Sequence, residues 1–152
     1  MLIGKSDAKT DAKGRVFVPA TMRRELTKGD ENATVVLRRD PNRPCLIVEP
    51  IDIFEQRVQQ MMERLDVEWN PDDQQLLMEF TADVEQTTLD NQGRLLLNKT
   101  HLDFLNAKNT LTFVGMMTHL VIWDAETFVK QRMDADTFAQ TLNNKMARKA
   151  QP

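Results

Sequence analysis

Two stretches decide how this chain is read: Asp11-Ala12-Lys13-Gly14-Arg15-Val16-Phe17-Val18 and Asp90-Asn91-Gln92-Gly93-Arg94-Leu95-Leu96-Leu97. They match at an offset of 79 residues, which also sets Thr21 on Thr100, Leu26 on Leu105 and Val35 on Val114. Leu46-Ile47-Val48 then aligns with Leu120-Val121-Ile122 at an offset of 74, and the agreement continues to Phe54 and Phe128. The first copy therefore holds five extra residues, in the loop Arg39-Asp40-Pro41-Asn42-Arg43-Pro44. A lone Asp-x-x-Gly-Arg is common. A match that keeps its register across a helix and two strands marks an internal duplication.

Each copy predicts the same order of elements. A strand of about eight residues leads to Asp11 or Asp90, and a tight turn follows, with glycine where positive φ is needed. A second strand leaves the turn over Arg15–Val18 or Arg94–Leu97. A short helix comes next, with Pro19 suited to its first turn and Asn98 suited to cap its counterpart. Paired strands close the unit, Thr34–Arg38 with Leu46–Glu49 and Thr110–Met116 with His119–Trp123, the latter joined by a turn near Met117-Thr118. One such unit is too small to bury a core alone. Two can share one about a pseudo-twofold axis by exchanging hairpins.

Between the copies, Ile51, Phe54, Val58, Met61, Met62 and Leu65 recur at helical spacing over Ile51–Leu65. Asn70-Pro71-Asp72-Asp73 starts a second helix with a cap, a proline and two acids, and Leu76, Leu77 and Phe80 form its apolar face. A last helix near Asp136 sets Phe138, Leu142 and Met146 four apart, and its basic tail, Lys145 to Pro152, is expected to fray. The fold class is α+β: a pseudo-twofold double swapped-hairpin β-barrel with flanking helices. The expected divisions are 5–50 for the first unit, 51–82 for the connecting helices, 83–124 for the second unit and 125–152 for the C-terminal helices and tail.

The net charge of −3 argues against a nucleic-acid binder until its distribution is read. Lys5 to Lys28 holds seven cations against three carboxylates, a local +4. Glu49 to Glu85 holds eleven carboxylates against Arg57 and Arg64, a local −9. An acidic average hides a basic amino-terminal segment. The lone cysteine, Cys45, excludes an internal disulfide and reads as a small buried apolar residue. Neither a secretory signal nor a membrane-spanning run is present, so a cytoplasmic location is expected.

Catalytic constellations are missing from the sequence. His101 and His119 fall at unmatched positions in the two copies and outside any metal-ligand spacing, so no metal and no cofactor is expected. Asp11 and Asp90 could meet as a carboxylate dyad, but an arginine four residues after each keeps it ionised. The two aspartates read as partners of Arg15 and Arg94 within their own turns. Lys9, Lys13, Arg15, Arg23 and Arg24 are more cation than Asp11 can neutralise, and a polyanion is the simplest target. From Val84 to Ala107 the balance is −1, so the first hairpin is expected to carry most of the binding.

Asp11-Ala12-Lys13-Gly14-Arg15-Val16-Phe17-Val18-Pro19, with Arg23 following, resembles the first signature of the MraZ family. Asp90-Asn91-Gln92-Gly93-Arg94 and the leucine-rich strand after it resemble the second, and Gly115 with Leu120-Val121-Ile122-Trp123 resembles the end of the second unit. The resemblance covers about residues 1–130. It implies a bacterial transcriptional regulator with two AbrB-like units per chain, assembled as a ring-shaped homo-oligomer and associated with the nucleoid. It implies action at the promoter of the division and cell-wall gene cluster, on short repeated boxes of double-stranded DNA. It also implies that Asp11, Arg15, Asp90 and Arg94 serve DNA binding. The chain departs from the pattern at Asn98, which mirrors Pro19, and at Leu102, which mirrors Arg23.

The expected DNA-binding set is thus Lys9, Asp11, Lys13, Arg15, Arg23, Arg24 and Arg94. Arg15 and Lys13 would reach into the groove, with Lys9, Arg23 and Arg24 on phosphates. Met61, Met62, Leu76 and Leu77 are candidates for an interface between subunits or for internal core. No small-molecule ligand and no membrane partner is expected. The alternative is an oligomeric protein-interaction scaffold whose basic hairpin takes an acidic partner.

Overall fold

The computed structural model describes residues 1–149. In the first repeat β1 (Lys5–Lys9), β2 (Arg15–Phe17), α1 (Ala20–Thr27), β3 (Val35–Arg39) and β4 (Leu46–Pro50) follow one another. Helices α2 (Ile51–Met62) and α3 (Pro71–Ala82) lead to the second repeat. It comprises β5 (Glu85–Thr87), β6 (Arg94–Leu96), α4 (Lys99–Leu105), β7 (Thr110–Gly115) and β8 (Leu120–Asp124). Helices α5 (Ala125–Gln131) and α6 (Ala135–Lys149) complete the described chain. The fold is α+β with an antiparallel sheet in the order β1-β7-β8-β4-β3-β5 and a separate ribbon of β2 and β6.

That strand order maps onto itself when the repeats are interchanged. The first strand of each repeat pairs with the third strand of the other: Lys5–Lys9 along β7, and Glu85–Thr87 along β3. The axis passes between β4 and β8, and between β2 and β6, where Val16 faces Leu95. Strand pairing among the described residues does not run on from β1 to β5 to close a ring. The ribbon instead packs onto the sheet. Val16 and Leu95 are fully buried in one cluster with Leu37, Val48, Phe113 and Ile122, and α1 and α4 add Leu26 and Leu105 from either side. A smaller cluster on the other side of the sheet holds Cys45, Ile47, Val121 and Trp123. Burial pushes the Cys45 thiol up to about 12, as suits an inert core residue.

Several elements are shorter than their patterns predict. The strands before the turns have five and three residues rather than about eight. For β5 the cause is α3, which runs to Ala82 and leaves two residues before the strand begins. Helix α2 stops at Met62 instead of Leu65, because the Arg64 N–H turns back to the Met61 carbonyl, a tightened last turn. Pro19 precedes the first turn of α1: it is the N-cap, with ψ of 137°. Asn98 caps α4 as expected, accepting from the His101 N–H while the His101 imidazole accepts from the Asn98 N–H. Residues 150–152 of the basic tail lie outside the described residues.

The two connecting helices are tied to the sheet by charge. Fully buried Glu49 receives Arg38 at 3.3 Å and Arg57 of α2 at 3.0 Å. The Arg38 guanidinium also lies 5.4 Å from the centre of the Phe80 ring of α3. Arg57 reaches Nδ1 of His119 at 3.0 Å. Both histidines thus have structural places.

Burial holds the His101 and His119 imidazoles below their ordinary value of 6.5; at His101 it outweighs the pull of Glu85, and at His119 Arg57 adds to it. A histidine kept neutral by folding contributes stability that is complete above its unfolded pKa and is lost as pH falls through the lower folded value. The urea midpoint is expected to be level above about pH 7 and to decline below 6.5, with a shallower decline in His119→Gln. A midpoint that rises on acidification through this window would contradict the assignment.

Candidate nucleic-acid interface

Each Asp-x-x-Gly-Arg segment folds into the same self-contained turn. Asp11 Oδ1 accepts from the backbone N–H groups of Lys13 and Arg15, each at 2.9 Å, and its Oδ2 accepts from Arg15 Nε at 2.7 Å. Asp90 does the same with Gln92, at 3.0 Å, and with Arg94, at 2.8 Å to its backbone N–H and 2.7 Å to its Nε. Gly14 and Gly93 stand at φ of +84° and +82°. Neither has room for a side chain: a Cβ on Gly14 would strike the Leu97 carbonyl oxygen, and one on Gly93 would strike the Arg23 guanidinium. The motif is therefore a structural unit in both copies, as expected for the aspartates.

These bonds fix the charge states. The backbone N–H of Arg15 is the largest cause holding the Asp11 carboxyl below its usual range, and the backbone N–H of Arg94 does so at Asp90. A carboxylate dyad does not form. Arg94 stands between the two acids, 2.7 Å from Asp90 and 3.9 Å from Asp11.

The two arginines differ in what remains free. Arg15 donates to Asp11 through Nε, and its side chain is 33% exposed. Arg94 is 18% exposed, spans both aspartates and lies 5.7 Å from the centre of the Phe17 ring. The register of the ribbon sets Arg15 opposite Leu96 and Phe17 opposite Arg94. Since Val16 and Leu95 face inward, the other face of the ribbon presents Arg15, Arg94, Phe17 and Leu96, with Phe17 and Leu96 more than half exposed. Phe17 and Leu96 are absent from the sequence-based set. The alternation around Val16 and Leu95 was the available signal.

The five cations of the first copy do not gather at one turn. Lys9 is exposed on β1 and Lys13 on the first turn, near Arg15. Arg23 and Arg24 stand instead beside the second turn, lining a surface cavity of about 300 Å³ with Asn91, Gln92 and Gly93. The cause is a reciprocal pair of hydrogen bonds. The Val18 N–H donates to the Gly93 carbonyl at 3.1 Å, and the Leu97 N–H donates to the Gly14 carbonyl at 2.8 Å. Each repeat's helix thus begins against the other repeat's turn. Leu102, the counterpart of Arg23, lies beside Gly14. Linear distance along the chain misassigned Arg23 and Arg24 to the first turn.

A family model described as the MraZ protein, antitoxin-like, matches residues 80–149. A protein named transcriptional regulator MraZ from Bacteroides fragilis is 33% identical over 95% of this chain and 90% of its own length. The protein of that name from Phocaeicola vulgatus is 33% identical over 95% of this chain and 92% of its own. One from Pectobacterium carotovorum is 28% identical over 88% of this chain and 86% of its own. The chain belongs to the MraZ family. These relatives are named as regulators and not as enzymes, which agrees with the missing catalytic constellations.

The remaining expectation concerned the helices of this MraZ-family chain. Neither α2 nor α3 has a buried residue. Met62 and Leu76 are exposed, while Met61 and Leu77 are half-buried, so none of the four is internal core. A larger uncovered face lies on α6. Every residue from Val129 to Arg148 is exposed, and Phe138, Leu142 and Met146 form an apolar stripe there.

The two glycines offer a test of the turn geometry. Alanine at either position meets the left-handed strain of roughly 1–2 kcal/mol. At Gly93 the obstructing group is a flexible side chain, whereas at Gly14 it is a backbone carbonyl. Gly14→Ala is expected to lower the thermal midpoint more than Gly93→Ala. Equal losses would mean that the Arg23 side chain does not give way, or that the Leu97 carbonyl does.

Proposed function

We propose that this chain is a DNA-binding transcriptional regulator, acting as a ring-shaped homo-oligomer on repeated boxes at the promoter of the division and cell-wall gene cluster, within the nucleoid. The observation that carries DNA binding is the first turn. Asp11 holds the Arg15 side chain through Nε alone, and Lys13 is exposed beside it, on the edge of a two-stranded ribbon. A ribbon is one of the elements that B-DNA's major groove admits. Arg15 and Lys13 read base edges there, and Lys9, Arg23 and Arg24 contact phosphates. Asp11 and Asp90 serve indirectly, by orienting their arginines. Arg94 contributes less directly, because its guanidinium is engaged by both aspartates.

One subunit offers few contacts, so affinity for a single box is low. A ring that presents the turn several times to spaced boxes gains by effective concentration, by about 10²–10⁴. The uncovered α6 supports assembly. A free helix of 15 residues is marginal in water, and among the described residues nothing buries its apolar stripe. Met62 and Leu76 add a second uncovered apolar surface on the acidic helices.

Two measurements test the reading. In a mobility-shift assay with the DNA upstream of the chain's own gene, Arg15→Ala is expected to lose most binding while keeping its thermal midpoint, and Arg94→Ala is expected to lose less. Equal losses would refute the asymmetry between the two turns, and no shift by the parent protein would defeat DNA binding in favour of a scaffold for an acidic protein. In analytical ultracentrifugation the parent is expected to sediment as a multiple of 17.6 kDa, and a Phe138→Asp, Leu142→Asp double variant to move toward that mass. An unchanged distribution in the variant would remove α6 from the interface.

A further inference from the structure

The two turns compensate for one another in charge. The first carries Lys13 and is faced by Leu102 from the other repeat. The second carries Gln92 at the position of Lys13 and is faced by Arg23 at the position of Leu102. Each turn thus has one cation beside its glycine in addition to the motif arginine, supplied by the turn itself in one case and from across the axis in the other. Counted along the sequence, the second hairpin is acidic. Counted in space, it regains a positive charge.

Arg23 is half-buried against Gly93, yet among the described residues it forms no ion pair and its guanidinium donates to no acceptor. No buried side-chain nitrogen is left unpaired among the described residues, so the free donors of Arg23 reach solvent and are open to an anion, which a guanidinium bonds with charge-assisted hydrogen bonds. Two carboxylates border the cavity. Asp90 is committed to three bonds within its own turn, and Glu31 is exposed. Thr27 and Arg24 from α1, and Asn91 and Gln92 from the turn, supply the remaining polar wall.

We infer that Arg23 and the second turn form a seat for one backbone phosphate of double-stranded DNA, so that both turns of a subunit grip the duplex. The inference rests on the DNA-binding reading and refines it. Base reading stays with the first turn, and the second acts as a phosphate anchor whose cation is Arg23 rather than Arg94. Loss of a phosphate contact weakens binding to all sequences alike and removes about 0.9 from the slope of log affinity against log salt.

The experiment converts the second turn into a copy of the first. Arg23→Leu is expected to bind the upstream DNA about tenfold more weakly at 0.1 M salt for each subunit engaged, with the slope reduced by about 0.9 per engaged subunit. Adding Gln92→Lys to that variant recreates the Lys13 and Leu102 pairing and is expected to restore both affinity and slope. Gln140→Lys on α6 adds the same charge elsewhere and is expected to restore neither. Arg23→Gln, which keeps a polar side chain at the site, guards against a folding defect in the leucine variant and is expected to show the same loss with an unchanged thermal midpoint. Parental affinity and slope in both Arg23 variants, or equal rescue by Gln140→Lys, would overturn the seat while leaving DNA binding intact. Failure of the parent protein to bind the DNA would instead defeat the underlying reading.

Discussion

Two hydrogen bonds across the pseudo-twofold axis carry the architecture: Val18 N–H to the Gly93 carbonyl, and Leu97 N–H to the Gly14 carbonyl. They join the strand leaving each turn to the glycine of the other turn. With them, Val16 and Leu95 meet at the axis and close one core over the sheet. A single repeat could not do this. Its ribbon would have one strand, and its first strand would have no partner, because that partner lies in the other repeat. The pairing of the two repeats is thus a condition of folding.

In the proposed reading, structure and recognition use the same residues at the turns. The aspartate accepts the backbone N–H groups that the reversal leaves unpaired, and its second oxygen takes the arginine Nε. An arginine held in this way has already lost part of its rotamer freedom. It therefore sacrifices less entropy when its remaining donors meet a planar acceptor. This resolves an apparent conflict in the motif. A carboxylate four residues before an arginine looks like neutralisation of a binding group, but it orients the side chain and leaves donors to spare.

The acidic middle of the chain has a different logic. Glu49 is wholly buried between Arg38 and Arg57, and Arg38 lies over Phe80. Breaking such a buried set by removing one partner is costly, because an uncompensated charge remains. The set holds α2 and α3 on the sheet through polar contacts, and both helices keep partly exposed apolar faces. Together with the stripe on α6 they leave apolar surface uncovered, and the proposed assembly rests on it.

The repeat, the order of elements, the capping of α3 and α4 and the charge polarity were all legible in the sequence. Each depends on residues near one another in the chain: a glycine where φ must be positive, an asparagine before a helix, apolar residues at a fixed period. The identity of the strand partners was legible only as the general need of two small units to share a core. The ownership of Arg23 was not legible at all. Along the chain it stands eight residues from Arg15 and belongs to the same basic segment. In the fold it rests on Gly93, some seventy residues away, because strand exchange sets each helix against the opposite turn. Local chemistry is written in local sequence, whereas the sum of charges at a surface is decided by which segments the core brings together.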